Sequence, residues 1–455
     1  MKNSTETKVA VIGAGLTGLT TAFYLKKAGI PFHVFEKAGR TGGVIHTRYE
    51  EGFIFESGPN TGVLSHPEAV ELFSDLQILP EIARESAKAR WIWKSGKWVP
   101  LPSGLASGVT TPLFTFRDKI RLLGEPFRKP GKDPDETLKE MVIRRMGRSF
   151  LDYAVDPFIL GIYSGDPDKL VTRYALPKLY RLEQDYGSFI LGTVKKARIP
   201  KTEVEKKVTR EIFSVKGGLE NLIDTLTEAV GNENITLNCE KTDVEYKGEN
   251  RFSVRGMFFS HVVSTTPAPV LAELFPFLPV TQLRTIGKLE YAKVVQVSLG
   301  FRKWAGIANN AFGGLVPSLE NRGILGILFP STFLSDRAPV GGALLSVFMG
   351  GVRKPEMIEA SDEKIISILE PELKEMMQLP DFSPDLLRIF RYQHAIPQYG
   401  KESQAKLEAI ETLERDYPGL ILAGNIRDGI GMADRIRQGK ITADKLEMRH
   451  AAPTM

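Results

Sequence analysis

Three glycines stand at Gly13, Gly15 and Gly18 in the run Gly13-Ala14-Gly15-Leu16-Thr17-Gly18. In that spacing the first permits a tight turn, the second lets the backbone approach a pyrophosphate, and the third lets a helix pack close to a sheet. The chemistry is anion binding, because the start of a helix offers free N–H groups and the positive end of its dipole. Glu36 follows about 20 residues on, where a carboxylate can accept hydrogen bonds from both hydroxyls of a ribose. Glycines alone would also suit plain helix-on-strand packing. The acidic partner at the end of the next strand makes the set a dinucleotide-binding one.

Three further motifs extend that site. The run Glu36-Lys37-Ala38-Gly39-Arg40-Thr41-Gly42-Gly43-Val44 adds a basic residue and a glycine pair that a simple nicotinamide site does not need. Glycines there let the backbone pass close to a flat cofactor or its phosphates. An apolar strand from Gly52 ends in Gly58-Pro59-Asn60-Thr61, a turn that fixes backbone groups at a sheet edge. Near the C-terminus Leu420–Ala423 leads into Gly424-Asn425 and then Gly429-Ile430-Gly431-Met432, again strand, glycine turn and helix. A late helix start returning to the first domain would set its dipole against the electron-accepting end of a redox cofactor.

The elements that must position these motifs are legible. Residues 8–12 read as a buried parallel strand, 16–28 as a helix stopped by Gly29, and 31–36 as a second strand, giving a βαβ opening. From about Arg90 to Arg210 the chain turns rich in Arg, Lys and aromatics, with helical spacing over stretches such as 135–150, and reads as a largely helical insertion. Residues 294–301, 323–329 and 343–348 read as strands of a second sheet. Residues 361–377 read as an amphipathic helix broken before Pro371, and 431–448 as the final helix. The expected fold is α/β. A Rossmann-like dinucleotide-binding unit opens the chain, and the helical insertion and a second, mixed sheet follow it.

Composition sets the outer limits. The chain has 455 residues, 42% hydrophobic and 25% charged, which is ordinary for a globular protein of more than one domain. A formal charge of +5 is too small to argue for nucleic acid. One cysteine, Cys239, excludes an intrachain disulfide, and the six histidines show no metal-ligand spacing, so no metal is expected. The apolar stretch 9–25 is too short and too glycine-broken for a membrane span. The polar start, Met1 to Lys8, lacks a signal-peptide layout. The expected location is the cytoplasm, with peripheral attachment to the inner face of the cell membrane. That attachment would use Phe114, Phe116, Leu122, Leu123 and Phe127, interleaved with Arg117, Lys119, Arg121, Arg128 and Lys129.

Together the four motifs resemble the flavin amine oxidase and protoporphyrinogen oxidase superfamily. Internal stretches narrow this to the protoporphyrinogen/coproporphyrinogen oxidase family, nearly end to end: Leu101 to Gly104, Asp156 to Phe158, Gly161 to Gly165, Lys178 to Glu183, Tyr186-Gly187 and Ile396 to Tyr399. The resemblance implies FAD, oxygen as electron acceptor, and oxidation of a porphyrinogen in heme biosynthesis. It also implies a discontinuous Rossmann-like FAD-binding domain (1–89, 211–270 and 415–455) that carries a mixed-sheet substrate domain (271–414) and the helical insertion (90–210). It leaves open whether the substrate is protoporphyrinogen IX or coproporphyrinogen III. By family position Val244 lies near the adenine, and Ile430, Gly431 and Met432 near the flavin, while Tyr392 holds a place often filled by an aromatic beside the ring system. Arg90 matches an arginine that pairs with a substrate propionate, Leu325 and Phe348 match apolar residues that sandwich the tetrapyrrole, and Gly161 matches a glycine whose backbone lies by it.

No acid/base pair is expected, because hydride can leave a porphyrinogen methylene bridge directly, helped by a pyrrole nitrogen. The protein supplies position, dryness and an electron sink. The competing readings are an FAD-dependent amine oxidase or polyene desaturase, a flavin-dependent sugar-nucleotide mutase, and a non-catalytic flavoprotein. Oligomeric state is not legible in the sequence.

Overall fold

A computed structural model describes residues 8–102, 104–200, 202, 206, 208–240 and 242–451. Ser103, within the Leu101 to Gly104 stretch, lies outside them, as do residues 1–7. The βαβ opening forms as the pattern predicts. Val9–Ile12 is fully covered on both faces, pairs in parallel with Phe32–Phe35, and is followed by the helix Leu16–Lys27.

Five parallel strands make the first sheet, in the order Ile235–Thr236, Phe32–Phe35, Val9–Ile12, His261–Ser264 and Leu420–Leu422. They come from distant parts of the chain, so the first sheet is complete only when the C-terminal segment returns. The final helix, Met432–Ala451, packs on the first. Gly439 is where they touch: a Cβ there would lie 2.7 Å from Thr20 Cβ and 2.8 Å from the Thr17 carbonyl.

The second sheet has seven strands in the order Leu386–Pro397, Tyr291–Phe301, Ala343–Gly350, Gly326–Leu328, Gly313–Leu315, Arg90–Lys94 and Lys97–Pro100. One pair, Gly313–Leu315 with Arg90–Lys94, is parallel and the others are antiparallel. Side chains alternate between its faces. One face buries Val295, Val297, Leu299, Leu345, Val347 and Met349 against Ile365, Leu369 and Leu373 of the helix Asp362–Met376. The opposite face carries the candidate site.

Three readings of the sequence are corrected here. Residues 90–100 open the insertion not as helix but as a β-hairpin of the seven-stranded sheet, because Ile92 and Trp93 each bury one side of the strand. The helical stretch 135–150 is interrupted at Gly147, whose φ of 101° ends the helix Leu138–Arg145 before Arg148 starts another. The helix Asp362–Met376 runs through Pro371 without a break. Pro371 sits on the exposed side, where water can take the carbonyl it leaves without a donor, and the buried row from Ile365 to Met376 holds the helix to the sheet.

The remaining insertion is helical, with helices at Leu138–Arg145, Asp156–Tyr163, Pro177–Tyr186 and Phe189–Ala197 among them. A buried ion cluster joins them: Arg145 pairs with Glu125, and Glu183 takes Arg144 at 2.7 Å. Glu125 also accepts from the Phe189 and Ile190 amides at the start of Phe189–Ala197.

Candidate functional site

The glycine turn and the helix after it form a cradle. Gly13 has φ 101°, and a Cβ on Gly18 would lie 1.9 Å from the Gly13 carbonyl, so turn and helix touch backbone to backbone. Gly15 is different: a Cβ there would meet nothing within 4 Å. The helix start at Gly15 has no side-chain cap and no acidic residue in its first turn. Its leading amides and dipole are therefore uncompensated, which fits an anion. Ala14, Leu16 and Thr17 are buried beneath it.

Glu36 closes one end of the cradle. Its carboxylate accepts from the Ala14 amide at 2.6 Å and the Ala38 amide at 2.8 Å, which fixes it in place and leaves lone pairs for ribose hydroxyls. The Cys239 amide bonds the Glu36 carbonyl at 2.9 Å. Val244 lies beyond, fully buried in a cluster with Phe35 and Cys239. Arg40 does not reach into the cradle. It ties its own loop together through the Thr41, Ile45 and Gly43 carbonyls, and the Gly42 amide bonds the Ala14 carbonyl at 2.8 Å. Gly43 then faces Gly15, with 3.4 Å from its virtual Cβ to the Gly15 Cα. Lys37 is solvent-exposed, and Val44 is 59% exposed, an apolar side chain open at the rim. A Cβ on Gly58 would lie 2.0 Å from the Val44 carbonyl, so Gly58, Pro59, Asn60 and Thr61 continue the same wall. Asn60 is buried and donates to the Gly58 carbonyl.

Thr265, which the sequence reading missed, joins the two glycine motifs. Its hydroxyl bonds the Ile12 and Gly13 carbonyls, and a Cβ on Gly424 would lie 2.6 Å from its own carbonyl. The C-terminal loop is then held from several sides. Tyr399 reaches the Asn425 and Gly429 carbonyls at 3.0 Å, and Arg435 reaches those of Arg427 and Gly429. Ile430 and Met432 are largely covered, and Gly431 donates its amide to Asp434 at 2.9 Å. Asp434 pairs with His66 at 2.8 Å. Burial opposes ionisation of Asp434, but the bonds from His66 and the Gly431 amide outweigh it and hold the carboxyl below its usual range. The late helix start thus carries its own carboxylate, which offsets part of the dipole expected to act there.

The seven-stranded sheet docks on the same wall. Tyr392 donates to the Ser57 carbonyl, and the buried Gln296 donates to the Glu56 carbonyl at 2.8 Å and to Ser346 Oγ at 3.1 Å. Residues paired directly across strands share a face. One row therefore runs Phe390, Gln296, Phe348, Gly326, Leu315 and Ile92, and the next Arg388, Ser298, Ser346, Leu328, Gly313 and Arg90. Phe348 and Arg90 are three strands apart, about 14 Å at the usual strand spacing. Phe348 is the partly exposed side chain of Ala343–Gly350. Leu325 donates its amide to the Phe348 carbonyl at 2.7 Å. Gly161 lies over this floor, where a Cβ would come 2.6 Å from Leu315 Cδ2. Arg90 and Phe348 thus share one face, Gly161 packs on Leu315 of that face, and Leu325 joins it through its backbone bond to Phe348.

Arg90 is half-buried, with its guanidinium 5.3 Å over the Phe312 ring. Burial pulls its pKa below the usual guanidinium value. Among the described residues its guanidinium has neither a carboxylate nor a hydrogen-bond acceptor. Arg388, the other cation of the row, is paired with Glu50. Among the described residues no group of three His, Cys, Asp or Glu could hold a metal.

Glu56 has a pH consequence. Burial raises its carboxyl to about 7, against the opposing bonds from the Leu219 amide and the Thr47 hydroxyl. In the unfolded chain a Glu titrates near about 4.3. Between those values the folded state keeps a proton that the unfolded state has lost. Its contribution to stability is fully present below the unfolded value and is lost as pH rises through about 7. Urea midpoints from pH 4 to 8 should fall more steeply for the wild type than for Glu56→Gln; parallel profiles would show that Glu56 titrates alike in the folded and unfolded chains.

Comparison with known proteins follows the same outline. The family model for flavin-containing amine oxidoreductases matches residues 16–446. The chain is 30% identical to the mitochondrial protoporphyrinogen oxidase of Nicotiana tabacum, over 97% of this chain and 95% of that one. It is 25% identical to the coproporphyrinogen III oxidase of Bacillus subtilis, over 95% and 96%. A crystal structure from Exiguobacterium sp. 255-15, named for protoporphyrinogen oxidase, superposes with a TM-score of 0.81 at 22% identity, covering 98% of this chain and 99% of that one.

Proposed function

The chain belongs to the flavin-containing amine oxidoreductase family and is an FAD-dependent oxidase; from that premise we propose that it oxidises a porphyrinogen to the porphyrin in heme biosynthesis, with oxygen as the final acceptor. The observation that carries the substrate is Arg90. A half-buried guanidinium without an anion of its own, on one face with Phe348 and with Leu315, on which Gly161 packs, suits a flat apolar molecule with a carboxylate at its edge. The names of the aligned relatives support the same class.

Bound FAD supplies the two-electron acceptor. The cradle at Gly13–Gly18 and Gly42–Gly43 fits its diphosphate, Glu36 a ribose, and the wall of Val44, Gly58–Thr61, Tyr392, Gly424 and Ile430–Met432 its ring system. Arg90 anchors the substrate, Phe348 and Leu325 press on its faces, and Gly161, packed on Leu315, borders the macrocycle with its backbone. The sheet floor and the insertion exclude water, so the reacting carbon is held in place rather than activated by a base.

Anaerobic mixing with protoporphyrinogen IX and coproporphyrinogen III in turn tests the reading. The flavin absorbance should bleach with at least one of them and return on admitting air. Flavin that stays oxidised with both, yet bleaches with an amine, would replace the reading with the amine oxidase.

The insertion also supports peripheral membrane attachment. No described helix is long and apolar enough to cross a membrane. Phe116, Leu123 and Phe127 are 76%, 74% and 90% exposed, while Lys119, Arg121 and Arg128 fold back onto backbone carbonyls. Exposed apolar side chains thus stand among exposed cations, Arg117 and Lys129 with them, the mixture of an interfacial surface. Flotation with anionic liposomes at low salt should carry the wild type upward and leave Phe116→Glu/Phe127→Glu at the bottom, with flavin content unchanged. Equal flotation of both proteins would rule this surface out.

A further inference from the structure

We infer that Arg353, with Asp156, is the positioning residue that sets the width of the substrate slot; this rests on the porphyrinogen reading above. In that reading the slot lies between Gly161, carried by the helix Asp156–Tyr163 and packed on Leu315, and Phe348, carried by Ala343–Gly350 two strands from Leu315. Whatever fixes that helix against that strand fixes how thick a ring can enter.

The helix cannot set its own height. It follows a π-helical turn at Leu151–Val155, and Pro157 has no N–H to give the preceding turn. Its two ends are instead bolted to the chain just after Phe348. Arg353 donates from Nη1 to Asp156 Oδ1 and from Nη2 to Asp166 Oδ1, each at 2.8 Å. Asp156 begins the helix and Asp166 follows its end, so one guanidinium spans it. Between these points the Val352 amide bonds the Ser164 carbonyl at 2.9 Å, and a Cβ on Gly351 would lie 2.6 Å from that same oxygen. No side chain fits there, so strand end and helix end meet through backbone.

The third wall converges on the same carboxylate. Asp156 Oδ2 accepts from the Ser318 amide at 2.7 Å and the Ser318 hydroxyl at 2.9 Å. Ser318 lies in the connection between Leu315 and Leu325, and Leu325 Cδ1 is 3.4 Å from the virtual Cβ of Gly351. Asp156 is buried, and Arg353 is its ion-pair partner. Removing the cation leaves a buried carboxylate held only by Ser318, and it frees the helix to shift relative to Phe348.

Steady-state kinetics of Arg353→Gln and Arg353→Lys, with flavin content and Tm measured alongside, decide the matter. Arg353→Gln should raise KM for the porphyrinogen about tenfold with kcat within about twofold of wild type and flavin content unchanged, a weakening of uniform binding. Arg353→Lys keeps a cation for Asp156 but cannot span both carboxylates, so it should recover only part of the lost KM. Asp156→Asn should match Arg353→Gln, and the double variant should add little to either. A fall in Tm with KM unchanged would reduce the network to fold stability and overturn the inference. A wild type that oxidises neither porphyrinogen would remove the porphyrinogen reading and this inference with it.

Discussion

Arg90→Ala should lose roughly tenfold to a hundredfold in kcat/KM for the porphyrinogen, almost all of it through KM. A charge-assisted bond from guanidinium to carboxylate is worth about 1.5–3 kcal/mol, and each 1.4 kcal/mol is about a factor of ten. The contact lies at the edge of the substrate, away from the reacting carbon, so it holds ground state and transition state alike and leaves kcat nearly untouched. Folding should survive, because among the described residues the guanidinium has no ion pair to lose; its neighbour is the Phe312 ring. Flavin content should survive too, since Tyr392, which docks on the cofactor wall, is five strands away across the sheet. Arg90→Lys should recover only part of the loss, because an ammonium cannot reproduce the planar fork. An unchanged KM in flavin-loaded Arg90→Ala, with both porphyrinogens, would remove Arg90 from the site.

What the sequence disclosed was local and periodic. The strand-turn-helix at Val9–Lys27 was legible because its glycine spacing and apolar run are set by neighbours in the chain. The faces of the second sheet were not. Gln296, Ser298 and Ser346 are as buried as the valines between them, so the alternation that separates a substrate face from a core face is hidden in the pattern. Leu386–Pro397 went unread as a strand. It is the edge of its sheet, and Arg388, Arg391, Gln393 and His394 interrupt the apolar rhythm of 12 residues. Thr265, Gln296 and Arg353 act through partners far along the chain: Arg353 lies 197 positions from Asp156. No window of sequence could show such a contact. Resemblance supplied Arg90, Leu325, Phe348 and Gly161, which by residue type alone read as surface, core or loop.

Gly15→Val should yield a folded, colourless protein. Gly15 has φ −74° and ψ 178°, extended backbone open to any residue, and a Cβ there meets nothing within 4 Å. The helix start loses at most about 1 kcal/mol from exchanging glycine for a poorer N-cap. The apoprotein should therefore melt close to the wild-type apoprotein. The space the valine fills, however, is the cradle itself, between an uncapped helix start and the opposing Gly43. A diphosphate can reach those amides only where no side chain stands. Flavin per chain should fall by more than about tenfold. Added FAD should raise the Tm of the wild-type apoprotein and not that of the variant, because a ligand at a hundred times its Kd stabilises by about 2.7 kcal/mol and an unbound one by nothing. Gly18→Val gives the opposite pattern: its Cβ would strike the Gly13 carbonyl at 1.9 Å, so that protein should fail to fold even without cofactor. The pair separates a glycine that serves the ligand from one that serves the packing. A yellow Gly15→Val with one flavin per chain would place the diphosphate elsewhere.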